Sequence, residues 1–262
     1  MTKIIEAIRK KNPIVLHVAN HVTPQHVADA TNFIGGSPIM LEDELEASEL
    51  TKLSNSVSLN LGSTTLASQN LILKVGKAAN KFKIPVVFDP VAVGASKVRF
   101  QRAQEILSKV DVTLIRGNLG EIASLINLEW NSKGIDSGSG SGDGIKIAKK
   151  AAQILGCVIV VSGESDIVTD GKETYLIQNN APMLSVNVGM GDVLDAILAV
   201  FLSNSQKINE IALATAILPA VAEEAMKQFR NQPAKFLSQT YDNLFEINDD
   251  KLLSLAKIER ID

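Results

Sequence analysis

The sequence predicts a three-layer α/β/α fold around a mainly parallel sheet. Short β-branched runs alternate with stretches of helical periodicity along most of the chain. Such alternation places each helix as the crossover between parallel strands and covers both faces of the sheet. The 262 residues are 45% hydrophobic and 21% charged, which suits one large domain spanning 1–262.

Taken in order, the amphipathic start from Met1 to Lys11 has too few apolar residues for a signal peptide. Strands are expected at Ile14–Val18, Pro38–Met40, Val57–Leu61, Pro85–Asp89, Val112–Arg116 and Val158–Ser162. Two shorter ones, Ile167–Thr169 and Glu173–Ile177, flank Asp170-Gly171-Lys172, a hairpin signal. The first helix to follow a strand runs from Pro24 to Phe33, with Thr23 as its N-cap and proline at its first position. Further helices are expected at Leu66–Phe82, Arg99–Leu107, Asn118–Ile126 and Gly144–Leu155. After Gly191 the chain reads as wholly helical, over Asp192–Leu202, Ile208–Lys227 and Pro233–Phe245. Ser137–Gly144 is rich in glycine but lacks the Lys-Ser/Thr pair of a phosphate loop, so it reads as a linker.

Several function classes drop out early. A net charge of −3 gives no nucleic-acid surface, and acids interrupt the apolar runs before a membrane span is reached. Cys157, the one cysteine, lies in an apolar strand and reads as a buried structural thiol. The expected compartment is the cytoplasm. His17, His21 and His26 cluster in sequence, but a strand and a loop need not converge their rings, so pocket or structural roles are favoured over a metal site.

Ligands of parallel α/β sheets collect beyond the carboxyl ends of the strands. That rule singles out Asn20, Met40, Gly62, Asp89, Arg116–Asn118 and Ser162–Glu164. The most informative segment is Asn187-Val188-Gly189-Met190-Gly191-Asp192, where two glycines open an apolar helix and an acid stands in its first turn. Free N–H groups and the helix dipole suit an anion there. An acid beside phosphates suits proton removal from an attacking hydroxyl; the plainer reading is an acid favouring the dipole. Asp89 before Pro90 suits Mg²⁺ or a turn cap. Arg116 suits phosphate oxygens. Asn118 with Glu121 suits a capping box or a water-mediated metal contact.

Together these motifs resemble hydroxyethylthiazole kinase, a family of the ribokinase-like superfamily. The likeness rests on Asn20-His21-Val22-Thr23, Gly36–Met40, Asp89–Ala95, Ile115–Asn118 with Glu121, Gly134–Ser137, and Val161–Asp166 with Thr169–Gly171 behind it. The resemblance implies a ribokinase-like fold and ATP-dependent phosphorylation of 4-methyl-5-(2-hydroxyethyl)thiazole. It implies that Asn20, Met40, Gly62 and Gly189 line the thiazole site, that Arg116, Ser162 and Gly191 contact ATP, and that Asp89 and Glu121 organise Mg²⁺. It also implies a homotrimer with active sites at subunit interfaces. Two departures stand out. Gly189-Met190-Gly191-Asp192 replaces the usual Gly-Thr-Gly-Cys, which puts an acid suited to base catalysis at Asp192, and Ala92 stands where glycine is usual. Other readings are a hydroxymethylpyrimidine kinase, a nucleotide-dependent NAD(P)H-hydrate dehydratase, or a nucleotide-binding regulator without catalysis.

Overall fold

The computed structural model describes residues 3–128 and 140–261. Along the chain lie α1 (Ile4–Lys11), β1 (Ile14–Val18), α2 (Pro24–Ile34), β2 (Ser37–Met40), α3 (Ala47–Leu53) and β3 (Ser56–Asn60). Then come α4 (Leu66–Phe82), β4 (Val86–Asp89), α5 (Lys97–Lys109), β5 (Leu114–Asn118), α6 (Leu119–Leu125) and α7 (Gly140–Leu155). The remainder is β6 (Val158–Ser162), β7 (Asp166–Thr169), β8 (Thr174–Ile177), α8 (Met190–Leu202), α9 (Ile208–Met226), α10 (Pro233–Glu246), α11 (Asp249–Leu255) and β9 (Ile258–Ile261).

The strands form one nine-stranded sheet in the order β2-β1-β3-β4-β5-β6-β7-β8-β9. From β2 to β6 neighbours pair in parallel, and from β6 to β9 they pair antiparallel. Residues alternate between faces along each strand. Val15, Val87, Leu114 and Val160 pack in one core with α1, α2, α8, α9, α10 and α11. Their neighbours Leu16, Val86, Phe88, Ile115, Ile159 and Val161 pack in the other with α3 to α7. The three expected layers are therefore present.

Helix α8 explains the depth of the first core. From Val193 to Leu202 every residue is buried. A helix apolar all round needs neighbours on all sides, and α2, α9 and the sheet supply them. Truncating Phe201, 1% exposed, to alanine would cost about 3–5 kcal/mol. No described helix is long and apolar enough to cross a membrane.

Some expectations need correction. The chain after Gly191 is not wholly helical, because β9 closes the sheet against β8. Its sequence, Ile-Glu-Arg-Ile, lacks apolar alternation because it is a partly exposed edge strand, held by pairing rather than by burial. Helices α3 and α11 have seven residues each, too few to show a clear period. Thr23 occupies the N-cap position of α2 but makes no capping bond; its hydroxyl serves another partner, described below. Helix α7 begins at Gly140, so the stretch read as a linker is helical from there. Ser137–Ser139, the Gly134–Ser137 motif and Trp130 lie outside the described residues. The Asp170-Gly171 turn is as expected: the Asp170 carboxylate accepts from the Lys172 and Glu173 amides, and Gly171 takes φ +87°.

His17 on β1 is 1% exposed. The Thr31 hydroxyl donates to the Val27 carbonyl, so it accepts from His17 Nε2–H at 3.0 Å. Among the described residues His17 Nδ1 has no partner, and burial pushes the imidazole down to about 3. Below pH 6.5 the unfolded chain binds a proton at His17 that the folded chain refuses until about pH 3. Stability should therefore fall as pH drops through that window, with this one group costing about 2 kcal/mol at pH 5. His17→Gln can still donate to Thr31 but cannot titrate. Urea unfolding at pH 7 and pH 5 should show a smaller loss in the variant; equal losses would clear the histidine of the effect.

Candidate active site

The site arises where the alternation on one face of the sheet turns polar. The residues facing α8 run Val15 then His17 on β1, Ser56, Ser58 and Asn60 on β3, Val87 then Asp89 on β4, and Leu114 then Arg116 on β5. Apolar side chains occupy the amino-terminal ends and polar ones the carboxyl ends, where the first turns of α8 arrive. Ser56 lies outside that gradient and donates instead to the Ala199 carbonyl at 2.6 Å.

Asp192 is the hub. Its Oδ2 accepts from Asn20 Nδ2 at 2.9 Å and from the Thr23 hydroxyl. Its Oδ1 accepts from Asn60 Nδ2 at 3.0 Å. The carboxylate favours the helix dipole from the first turn of α8, and its bonds to Asn20, Thr23 and Asn60 add partners outside its own helix. A carboxylate has about four lone-pair sites. Three are engaged, and one remains on Oδ1. Gly189 precedes the helix at φ +87°, and a Cβ there would fall 2.3 Å from Thr23 Cγ2. Glycine is therefore needed at 189 both for the turn and for the approach of Thr23 to Asp192.

Beneath Asp192 lies a buried ion group. Arg116 grips Asp195 with Nε at 2.8 Å and Nη2 at 2.6 Å, and Nη2 also reaches Asp89 at 2.6 Å. Asn60 Nδ2 ties Asp89 to the Asp192 network at 3.0 Å. Burial raises Asp89 well above the usual carboxylate range, opposed by Arg116 and reinforced by Asp195. Burial raises Asp195 too, again opposed by Arg116. Burial would lower Arg116, but Asp195 and Asp89 overcome it and hold the guanidinium well above its ordinary value. The fork expected to take phosphate oxygens is thus occupied by carboxylates, and Nη1 is what Arg116 has to offer. That atom lies against the start of α8: a Cβ on Gly191 would be 2.6 Å from it.

Three concavities join across the strand ends. A first pocket of about 480 Å³ includes Met40, Leu41, Leu71, His17, His21, Glu42, Glu44 and Gly62. A central cleft of about 460 Å³ includes Asp89, Arg116, Glu121, Ser162, Gly191 and Asp192, and shares Asn20, Gly62 and Ser63 with the first. A third space of about 680 Å³ includes Asp166, Asn179, Pro182, Leu184 and Leu218, and shares Ser162, Val188, Gly189 and Gly191 with the cleft. Asn20, Met40 and Gly62 thus border the first pocket, whereas Gly189, expected beside them, borders the cleft and the third space with Ser162 and Gly191. The helical ladder of α8 starts with Val193 N–H donating to Gly189 O, so the amides of 190–192 precede it. Asp166 accepts from the Gly163 amide at 2.9 Å, and burial pushes it up to about 7.

Glu121 and Asn118 form a full capping box on α6. The Glu121 carboxylate also accepts from the Ala92 amide at 2.7 Å, so it braces the β4–α5 turn while facing the cleft. Asp89 Oδ1 is buried without a partner among the described residues, and Asp89, Asp192 and Asp195 each offer an oxygen within 4.8 Å of the others. Hard oxygen donors with one unsatisfied atom suit Mg²⁺. The histidines do not converge: His26 Nδ1 meets the Tyr241 hydroxyl at 2.9 Å, away from His17. Cys157 is half-buried rather than fully buried, and burial pushes its thiol up to about 12, which makes it inert. Sequence reasoning missed Thr23 as a site residue, Asn60 and Asp195. The polar alternation Ser56-Ser58-Asn60, and the spacing of Asp195 three residues after Asp192, were the available signals.

A family model for hydroxyethylthiazole kinases matches residues 5–250. The chain belongs to the hydroxyethylthiazole kinase family. A hydroxyethylthiazole kinase of Lactiplantibacillus plantarum is 37% identical over 98% of this chain and 99% of its own. The solved hydroxyethylthiazole kinase of Pyrococcus horikoshii OT3 superposes with a TM-score of 0.90 at 27% identity, covering 99% of this chain and 98% of that one. A ribokinase-like superfamily protein of Enterococcus faecalis V583 shares the fold, with a TM-score of 0.66 at 14% identity over 89% of this chain and 86% of its own.

Against the hydroxyethylthiazole kinase pattern, the departure at Ala92 has a visible cost. Ala92 takes φ +55°, the left-handed region that favours glycine. Ala92→Gly should relieve about 1 kcal/mol of strain, partly offset by added entropy in the unfolded chain. Differential scanning calorimetry should show a rise of about 1–3 °C in Tm. A fall would mean that Ala92 has packing that outweighs its backbone.

Proposed function

We propose that this chain transfers the γ-phosphoryl group of ATP to the hydroxyl of 4-methyl-5-(2-hydroxyethyl)thiazole, with Mg²⁺, in thiamin biosynthesis or salvage in the cytoplasm. The observation that carries the reading is the position of Asp192. It stands in the cleft between a pocket of mixed polarity, which holds Met40, Leu41 and Leu71 beside Glu42 and Glu44, and a nucleotide-sized space. Family membership supplies the acceptor class.

Asn20, Thr23 and Asn60 fix the Asp192 rotamer before any ligand arrives, which is the preorganisation that positional catalysis needs. The alcohol enters beside Met40 and Leu71, and its O–H meets the open lone pair on Asp192 Oδ1. As the γ-phosphorus leaves the β-phosphate oxygen and bonds to the alcohol oxygen, the hydroxyl proton passes to Asp192. The amides of 190–192 and the dipole of α8 face the phosphate charge. Ser162 and Arg116 Nη1 border the same cleft from the strand ends. Asp89, through its unpartnered oxygen, with Glu121 and the neighbouring Asp192, would hold Mg²⁺, which neutralises phosphate charge when bound.

ADP release should depend on both Mg²⁺ and the thiazole alcohol. Release driven by another small alcohol and not by this one would sink the substrate assignment. Asp192→Asn should lower kcat by about 10²–10⁴-fold with little change in either KM. Its amide must also set an N–H against one of three donors, which costs about 1–3 kcal/mol of stability, so rates must be compared per folded molecule. Asp192→Cys, the usual residue of the family, should keep measurable turnover. Near-parental turnover in the Asn variant would leave catalysis to positioning and the cation.

A homotrimer is proposed on the family resemblance, supported by exposed Val22, Leu45 and Leu66 beside the acceptor pocket and cleft. Multi-angle light scattering should give three times the chain mass. A fully active monomer would end the proposal.

A further inference from the structure

Among the described residues, two cations line the central cleft, Arg116 and Arg99. Arg116 is committed to Asp195 and Asp89. Arg99 is not. It lies in the first turn of α5, half-buried, with no carboxylate at ion-pair distance among the described residues. Its Nη1 donates to the Leu61 carbonyl at 3.1 Å and to the Val91 carbonyl at 3.0 Å. Those carbonyls follow the carboxyl ends of β3 and β4. Leu61 adjoins Gly62, which borders both the acceptor pocket and the cleft, and Val91 lies two residues after Asp89. The guanidinium is therefore held at the junction where an acceptor hydroxyl and a γ-phosphate would meet.

Two features suit it to phosphate. The pair of carbonyls fixes the side chain, so little rotamer freedom is left to lose on binding. Both bonds use Nη1, which leaves Nε and Nη2. Those two donors share one edge of the guanidinium, the edge with which Arg116 grips Asp195 in a bidentate pair. A phosphoryl group presents oxygens at a matching separation.

We propose that Arg99 binds the phosphoryl group during transfer and then the phosphate ester that forms. The proposal rests on the kinase reading above. As the dianionic ester develops at the mouth of the acceptor pocket, Arg99 is the cleft cation with a free fork. The carboxylates of Asp89, Glu121 and Asp192 surround it with negative charge and offer the ester no donor. Arg102, one turn on, donates to the Thr64 carbonyl at 2.9 Å and hydroxyl at 3.1 Å. The loop after β3 thus keeps a second anchor when Arg99 is changed.

The test compares calorimetric binding of the thiazole alcohol and of its phosphate ester to the parent, Arg99→Gln and Arg99→Lys. In the Gln variant the ester should bind about 10–100-fold more weakly, the worth of a charge-assisted contact. The alcohol should bind within twofold of the parent, and kcat should fall while the KM for alcohol holds. The Lys variant, with charge but no fork, should fall between. Equal weakening of alcohol and ester would show that Arg99 only props the loop that shapes the acceptor pocket, and would overturn the proposal. An unchanged ester affinity would overturn it as well. If the parent binds ATP but neither thiazole compound, the substrate reading fails first and the assignment of Arg99 to that ester falls with it.

Discussion

The structure depends on how the first two turns of α8 are held against the sheet. That helix is the centre of one core, and its apolar residues alone would let it slide along a uniformly apolar sheet face. Asp192 and Asp195, three apart and on one side of the helix, prevent this. They engage Asn20, Thr23, Asn60 and Arg116, which come from the ends of β1, β3 and β5 and the loop after β1. A shift of one turn would leave several buried polar groups without partners, each costing about 1–3 kcal/mol.

This arrangement fixes position more than it adds stability. The Asp89–Arg116–Asp195 group is buried, and desolvating such ions offsets much of their attraction. Removing one member is a different matter: Asp195→Ala would leave Arg116 with only part of its compensation, at a cost of about 3–5 kcal/mol. The same partners that anchor the helix fix the rotamer of Asp192. Stability of the docking and geometry of the Asp192 carboxylate therefore rest on shared atoms, Asn60 above all, which bonds both Asp89 and Asp192.

Much of this was legible in the sequence, for a physical reason. Strands buried on both faces must be nearly continuous apolar runs, so the places where they stop, at Asp89, Arg116 and Ser162, stand out. Glycines that open an apolar helix also stand out, because few other residues permit that turn. What stayed hidden depends on which face a residue takes. Asn60 looked like part of a strand end until the pairing with Asp89 set its face. Thr23 looked like a helix cap, because sequence spacing cannot show that its hydroxyl turns across to α8. Arg116 was expected at a strand end and lines the cleft, but its fork was assigned to phosphate because the distant Asp195 could not be seen to claim it. Arg99 was read as the start of a helix, and only the two carbonyls it grips place it in the cleft. The edge strand β9 left no pattern because pairing, not burial, holds it.

The charges set the order in which ligands can act. Asp89, Asp192 and Asp195 bring three carboxylates together, and Arg116 answers them with one guanidinium. Glu121 adds another carboxylate at the cleft wall. A bare polyphosphate would meet net repulsion there, whatever the α8 amides contribute, since a helix terminus supplies only about half a charge. On the proposed reading, a divalent cation bound with the nucleotide would reverse that balance and could meet the Asp89 oxygen that has no partner among the described residues. The alcohol proposed as acceptor is uncharged, so its pocket can combine Met40, Leu41 and Leu71 with polar walls that include Glu42 and Glu44. The ester formed in the proposed reaction would be charged, and the acids proposed to favour proton removal would then favour its departure. A cation at the junction must then hold the ester weakly enough to let it go. Arg99, half-buried and pinned through a single nitrogen, would suit that limited grip in a way that the buried Arg116 would not.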